Sequence, residues 1–120
     1  MRVSSLVWLL DDDASVRKAL TRILEDAGYR VEGFDSAEAL QRVAASASLA
    51  DIDVFLFDVR LPGDSGIVLW QSLRNQPNCP PVLFLSGNAQ ISEAVTALKD
   101  GAADFLLKPA HPRVPDQEIA

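Results

Sequence analysis

Leu6 to Leu10 is an unbroken apolar run that stops at three aspartates, Asp11, Asp12 and Asp13. A run this short, with no polar alternation, fits a strand covered on both faces. From Val16 the apolar residues recur as Val16, Ala19, Leu20, Ile23, Leu24 and Ala27. That spacing makes one stripe of an α-helix, and Gly28 supplies a left-handed stop. Arg30 to Phe34 reads as a second strand, followed by Ala37, Leu40, Val43 and Ala44 as one face of a second helix capped by Ser36. The ASASLAD stretch, 45–51, reads as a loop. Val54 to Leu61 repeats the form of the first strand, and after Pro62 and Gly63 the residues Gly66, Leu69, Trp70 and Leu73 mark a third helix. Asn75 to Pro81 breaks it. Val82 to Leu85 is a fourth strand, Ile91, Ala94, Val95 and Leu98 form a fourth helical stripe closed by Gly101, and Asp104 to Leu107 is the last strand.

Apolar strands alternating with amphipathic helices predict a parallel sheet with helices on both faces. The fold class is therefore α/β, a doubly wound three-layer sandwich with a five-stranded parallel sheet of order 2-1-3-4-5, flavodoxin-like. Right-handed crossovers bring every strand's carboxyl end to one edge, where such sheets bind their ligands.

Composition narrows the function classes. A chain of 120 residues, 48% of them hydrophobic, fits one domain with a real core. The domain is expected over 1–120, with its core at 6–109 and 110–120 as a tail or the start of a fifth helix. The net charge of −6 opposes direct nucleic-acid binding. No apolar run is long enough to span a bilayer, the start MRVSS lacks a signal peptide's features, and Cys79 is the single cysteine. These features predict a cytoplasmic protein without membrane contact.

At the carboxyl edge stand Asp11, Asp12 and Asp13 after the first strand, Asp58 at the end of the third, Ser86 and Gly87 after the fourth, and Lys108 and Pro109 after the fifth. Strands one and three are neighbours in the expected order, so several carboxylates converge. Two unit charges about 4 Å apart repel by about 4 kcal/mol at an effective dielectric near 20, so the cluster needs a cation. Hard carboxylate oxygens with room for water suit Mg²⁺. Lys108 adds a permanent positive charge, and a phosphoryl group is the natural guest. Asp58 can attack phosphorus, while the Ser86 hydroxyl and the Gly87 amide donate to phosphoryl oxygens.

LLDDDASVRKAL, LFDVRLPGDSG, LFLSG and GAADFLLKP, in that order, resemble the receiver domain of two-component response regulators over residues 6–109, closest to receivers that precede LuxR-type helix-turn-helix effector domains. The resemblance implies Asp58 as phosphoacceptor. It implies Asp11, Asp12, Asp58 and the backbone carbonyl of Arg60 as ligands of Mg²⁺, with Mn²⁺ as a substitute. Ser86 then corresponds to the switch hydroxyl, Lys108 to the active-site lysine and Phe105 to the aromatic switch position. The implied partner is a sensor histidine kinase, with homodimerisation left open. The domain would catalyse its own phosphorylation and dephosphorylation without being an enzyme, and would change the surface of the fourth helix and fifth strand to control transcription through a DNA-binding domain outside this chain. Two alternatives stand beside this: a receiver-shaped binding module without phosphotransfer, and a haloacid-dehalogenase-like phosphatase. The phosphatase needs an acid two residues after the nucleophile, where Arg60 stands.

Several residues have plainer readings. Asp13 is expected to cap the first helix rather than bind metal, Asp64 and Asp104 to be turn residues facing solvent, and Trp8 and Trp70 to pack in or near the core. His111 reads as a surface residue, Cys79 as structural, and Phe105 alone as core. Ala110 follows Lys108-Pro109 where the family places an aromatic, and Pro112 and Pro115 oppose an immediate fifth helix. The chain is thus expected to be the amino-terminal part of a longer regulator. A cis Lys108–Pro109 bond is expected. The fifth helix is expected to be truncated, absent or supplied by sequence further on, and if it is missing, exposed apolar surface beside the first and fifth strands would suit dimer contacts.

Overall fold

The computed structural model describes residues 5–108. The fifth helix, the tail, His111 and the Lys108–Pro109 bond lie outside them.

Five strands, β1 (Leu6–Leu10), β2 (Arg30–Phe34), β3 (Val54–Asp58), β4 (Val82–Ser86) and β5 (Asp104–Leu107), form one sheet of order β2-β1-β3-β4-β5. All four pairings are parallel. This is the expected 2-1-3-4-5 arrangement. Four helices connect the strands: α1 (Ala14–Asp26), α2 (Ala37–Ala44), α3 (Gly66–Leu73) and α4 (Ile91–Lys99). Among the described residues, no helix is long and apolar enough to cross a membrane.

The sequence signals at the helix ends act as expected. Asp13 caps α1 by accepting from the amides of Ser15 and Val16. The Ser36 hydroxyl accepts from Ala39 N at 3.1 Å. Ser65, which the sequence reading did not single out, caps α3 through Ile67 and Val68. Gly28 and Gly101 end α1 and α4 at φ 100 and 115, where a side chain would be strained.

Two cores flank the sheet. The larger is built from Trp8, Leu10, Phe55, Phe57 and Phe84 against α2, α3 and α4, with Phe55 stacked on Phe57 at 4.6 Å. Each large side chain buried there contributes about 1.5–3 kcal/mol. Trp8 and Trp70 both belong to it, and the Trp8 indole N–H donates to Glu32 Oε1 at 2.8 Å. The smaller core holds Val7, Leu9, Leu56 and Leu85, with Leu20 and Leu24 of α1 packed on it.

Some elements differ from their sequence reading. The third strand ends at Asp58 instead of Leu61. Pro62 and Gly63, the latter at φ 69, turn the chain so that Arg60–Leu61 pairs antiparallel with Asp64–Ser65. A 3₁₀ turn, Leu49–Asp51, interrupts the expected loop because Leu49 is buried and the Ser48 hydroxyl caps it. The α4 stripe is rotated: Ala94 and Ala97 are buried, while Ile91 and Val95 are partly exposed. The helix packs against both β4 and β5, with its two alanines rather than its β-branched residues turned inward. In α1 no residue is fully buried and Ile23 is 62% exposed. Among the described residues α1 is the only helix on its face, and Leu106 and Leu107 of β5 are exposed.

Candidate functional site

The parallel register brings the chemistry together. Leu10 pairs with Phe57, Phe57 with Phe84 and Asp58 with Leu85, so Asp11 and Asp58 emerge at one level and Ser86 follows one residue further on. The Lys108 amide donates to Ser86 O at 2.9 Å and extends the β4–β5 ladder by one step. One carboxylate oxygen from each of Asp11, Asp12 and Asp58 lies within 4.8 Å of the others. Lys108 Nζ stands 2.8 Å from Asp58 Oδ2 and 3.2 Å from Asp11 Oδ2. Asp11 and Asp58 are buried, Asp12 is exposed, and Lys108 is partly exposed. The four groups expected at the site are therefore side by side.

Burial pushes the Asp58 carboxyl above its ordinary value, the neighbouring Asp11 pushes the same way, and the hydrogen bond from Lys108 opposes both. Lys108 is held above its ordinary value: burial disfavours its charge, but the Asp58 and Asp11 carboxylates outweigh that. With all ionised, three carboxylates face one ammonium, so two negative charges lack compensation.

The buried oxygens also show where a cation belongs. Asp11 Oδ1 accepts from Asp13 N at 2.9 Å, whereas Asp11 Oδ2, although ion-paired with Lys108, makes no hydrogen bond. A buried carboxylate oxygen without a hydrogen bond is costly unless a ligand completes it. Asp12 offers a further oxygen that no side chain in the described residues engages. An all-oxygen set with open positions and two uncompensated charges fits Mg²⁺.

The remaining expected residues are placed less directly. The Ser86 hydroxyl is fully buried and donates to Gly87 O at 2.9 Å, turned onto its own loop rather than onto a carboxylate. Gly87 precedes a short 3₁₀ turn, Asn88–Gln90, and its carbonyl also accepts from Gln90 N. The Arg60 amide donates to Asp58 Oδ1 at 3.3 Å, while its guanidinium pairs with Glu93 of α4 at 3.3 Å. Phe105 is half-buried against the larger core. Asp13 caps α1 and stands outside the acidic cluster.

Three contributors escaped the sequence reading. Arg17 donates from Nη1 to the carbonyl of Asp11 at 2.7 Å. Gly66 lies against the Asp58 backbone, where any Cβ would overlap the Asp58 carbonyl oxygen. Glu93 holds Arg60. Of these only Gly66 carried a signal, since a glycine directly after a capping serine at a helix start is otherwise unfavourable.

Residues 7–119 match the family model for the response regulator receiver domain. The transcriptional regulatory protein FixJ of Bradyrhizobium diazoefficiens is 36% identical over 109 residues, covering 91% of this chain and 52% of that protein. The phosphoglycerate transport system transcriptional regulatory protein PgtA of Salmonella typhimurium is 41% identical over 107 residues, 88% of this chain and 25% of that one. The chain thus spans about half the length of the first relative and a quarter of the second. Among solved structures, full-length FixJ from B. japonicum superposes with a TM-score of 0.79 at 34% identity, over 92% of this chain and 53% of that one. The chemotaxis response regulator CheY4 of Vibrio cholerae gives 0.77 at 28% identity, over 92% and 91%. A family model matched across nearly the whole length, together with these relatives, means that the chain belongs to the response regulator receiver domains.

Proposed function

We propose that this receiver is a phosphorylation-activated switch in which Asp58 accepts a phosphoryl group from a phosphohistidine of a sensor histidine kinase. The observation that carries this reading is the single ammonium of Lys108 spanning the buried carboxylates Asp58 and Asp11. Asp58 sits on a rigid strand end, and its Oδ1, held by the Arg60 amide, faces away from the oxygen that Lys108 engages. A carboxylate oxygen attacks phosphorus, the new O–P bond forms, and the N–P bond of the donor breaks with its electron pair returning to the imidazole. Asp11, Asp12, Asp58 and the Arg60 carbonyl would hold Mg²⁺, with Mn²⁺ as a substitute. When bound, the ion neutralises charge on the transferred group. Lys108 stabilises a phosphoryl oxygen from the other side.

The modified aspartate carries about two negative charges and three strong acceptors. The Ser86 hydroxyl, bonded here to Gly87 O, and the Gly87 amide, at the end of the neighbouring strand β4, are the donors that answer them. A shift of that loop frees space for Phe105 to rotate inward, and the surface of α4 and β5 changes. The relatives FixJ and PgtA are transcriptional regulators, and we assign the same kind of output here, through a DNA-binding domain and not through this acidic one. We assign the domain to the cytoplasm and read it as a phosphoacceptor that promotes its own phosphorylation and dephosphorylation.

Incubation with Mg²⁺ and acetyl phosphate, followed by intact mass measurement, tests the reading. A gain of about 80 Da, one phosphoryl group, is expected. It should be absent in EDTA and in Asp58→Asn. No gain under any condition would leave only a receiver-shaped binding module.

A further inference from the structure

Arg17 is a residue of the first two turns of α1, yet its guanidinium reaches back out of the helix to the loop that carries the acidic pair. Its Nη1 donates to the Asp11 carbonyl at 2.7 Å, a charge-assisted bond. Its main-chain amide meanwhile donates to Asp13 O at 2.9 Å. The peptide leaving Asp11 is the one that sets the direction of Asp12. Asp12 is exposed and, among the described residues, has no hydrogen bond or ion pair of its own. Its alignment with Asp11 and Asp58 therefore comes from the backbone. Besides the bond from the Arg17 amide to Asp13 O, three bonds hold that backbone: Asp11 N to Phe34 O at 3.1 Å, Asp13 N to Asp11 Oδ1 at 2.9 Å, and the bond from the Arg17 guanidinium. The Arg17 bond is the one that a side chain outside the loop supplies.

A second element provides for this reach. Gly33 lies inside strand β2, where a glycine forgoes side-chain packing and weakens the strand unless something approaches closely. What approaches is Arg17: a Cβ on Gly33 would stand 3.3 Å from Arg17 Cδ and 3.5 Å from Cγ. The arginine stem thus lies across the bare backbone of β2 on its way to Asp11.

We infer that Arg17 is a positioning residue for the metal-binding acidic pair, and that Gly33 is the seat that lets it reach the Asp11 carbonyl. This rests on the proposed reading of Asp11, Asp12 and Asp58 as Mg²⁺ ligands. Partners that orient metal ligands typically contribute tenfold or more to metal affinity, so the effect is measurable without any phosphotransfer.

The test is an Mg²⁺ titration of the ¹⁵N-labelled chain, following the amides of Asp12, Asp13 and Asp58. Arg17→Met keeps an apolar stem over Gly33 and removes the guanidinium. It should weaken Mg²⁺ binding about tenfold. Arg17→Lys, which keeps a charged donor, should recover part of the loss. Gly33→Val, with Arg17 intact, should weaken binding in the same direction by displacing the stem. If wild type and Arg17→Met bind Mg²⁺ within about twofold of each other, the inference fails while the metal site stands. It fails equally if Gly33→Val binds as wild type does. Wild type that shows no Mg²⁺-dependent shifts would overturn the metal site itself, and this inference with it.

Discussion

Gly66, the first residue of α3, lies so close to Asp58 that a methyl group on it would overlap the Asp58 carbonyl oxygen. The Gly66 amide donates to Val59 O at 2.9 Å, so the helix start is fastened onto the strand end that carries the acidic side chain. Neither backbone segment is free to move: Val59 N also donates to Leu85 O. Gly66→Ala should therefore act as an overpacking change against main chain, which a side-chain rotation cannot relieve. We expect a loss of about 2–3 kcal/mol, read by urea unfolding. The folded fraction should also gain the phosphoryl mass more slowly, because Asp58 has been pushed. Wild-type stability with unchanged phosphorylation would show that the contact yields easily.

The raised carboxyl of Asp58 makes a signed prediction for stability against pH. Because its folded value lies above the ordinary 3.8, the folded chain holds this proton more tightly than the unfolded one. Its stabilising contribution is complete below the ordinary value and is lost as pH rises through the raised one. Lys108, raised above 10.5, behaves oppositely in charge but not in sign: its contribution is complete below that value and disappears at higher pH. In EDTA, Asp58→Asn, which resembles the protonated acid, should melt above wild type at pH 7.5. The two melting curves should converge toward pH 4. A variant that melts below wild type at pH 7.5 would mean that the Lys108 bond outweighs burial.

The parallel sheet, its strand order and the edge that gathers the acids were legible because the strands are uniformly apolar and the helices carry 3.6-residue stripes. The caps Asp13 and Ser36 and the stops Gly28 and Gly101 were legible for the same local reason. The turn at Pro62-Gly63 was read as a helix boundary, yet its antiparallel ladder, Arg60–Leu61 with Asp64–Ser65, shortens the strand by three residues beyond what apolarity alone indicates. The α4 stripe was misplaced because Ile91 and Val95 are as apolar as core residues, and only the packed helix shows that Ala94 and Ala97 are the ones turned inward. Arg17, Gly33 and Glu93 act across elements distant in sequence, and nothing in their neighbours marks the contact.

Mg²⁺ binding should stabilise the domain by mass action, since the unfolded chain has no gathered carboxylates. At a hundredfold excess over Kd the gain is about 2.7 kcal/mol, visible as a rise in Tm. Asp11→Asn removes the ligand whose buried Oδ2 lacks a hydrogen bond and should abolish most of that rise. Asp13→Ala supplies the contrast: it removes the α1 cap, costs about 1 kcal/mol, and leaves the Mg²⁺ response intact. An equal Mg²⁺ response in Asp11→Asn and wild type would remove Asp11 from the metal site.

The ion-paired Arg60 and Glu93 line, with Asp12, Val59 and Ser65, a cleft of about 660 Å³. Both side chains are well exposed, at 64% and 49%, so the pair itself stabilises the fold by less than about 1 kcal/mol. Its effect on the site is larger in principle than its effect on the fold, because a phosphodonor is an anion and Glu93 ties up the guanidinium that would meet it. Glu93→Gln releases Arg60 and removes one negative charge from the entrance. Charges a few ångströms apart in water interact by about 1 kcal/mol, so acetyl phosphate should modify Asp58 about two- to fivefold faster in the variant at low ionic strength. In 1 M salt, where screening extends only about 3 Å, the two rates should coincide. A variant that reacts no faster than wild type at low salt would show that the pair does not control entry, and one that stays faster in 1 M salt would point to a change in the packing of α4 instead of its charge.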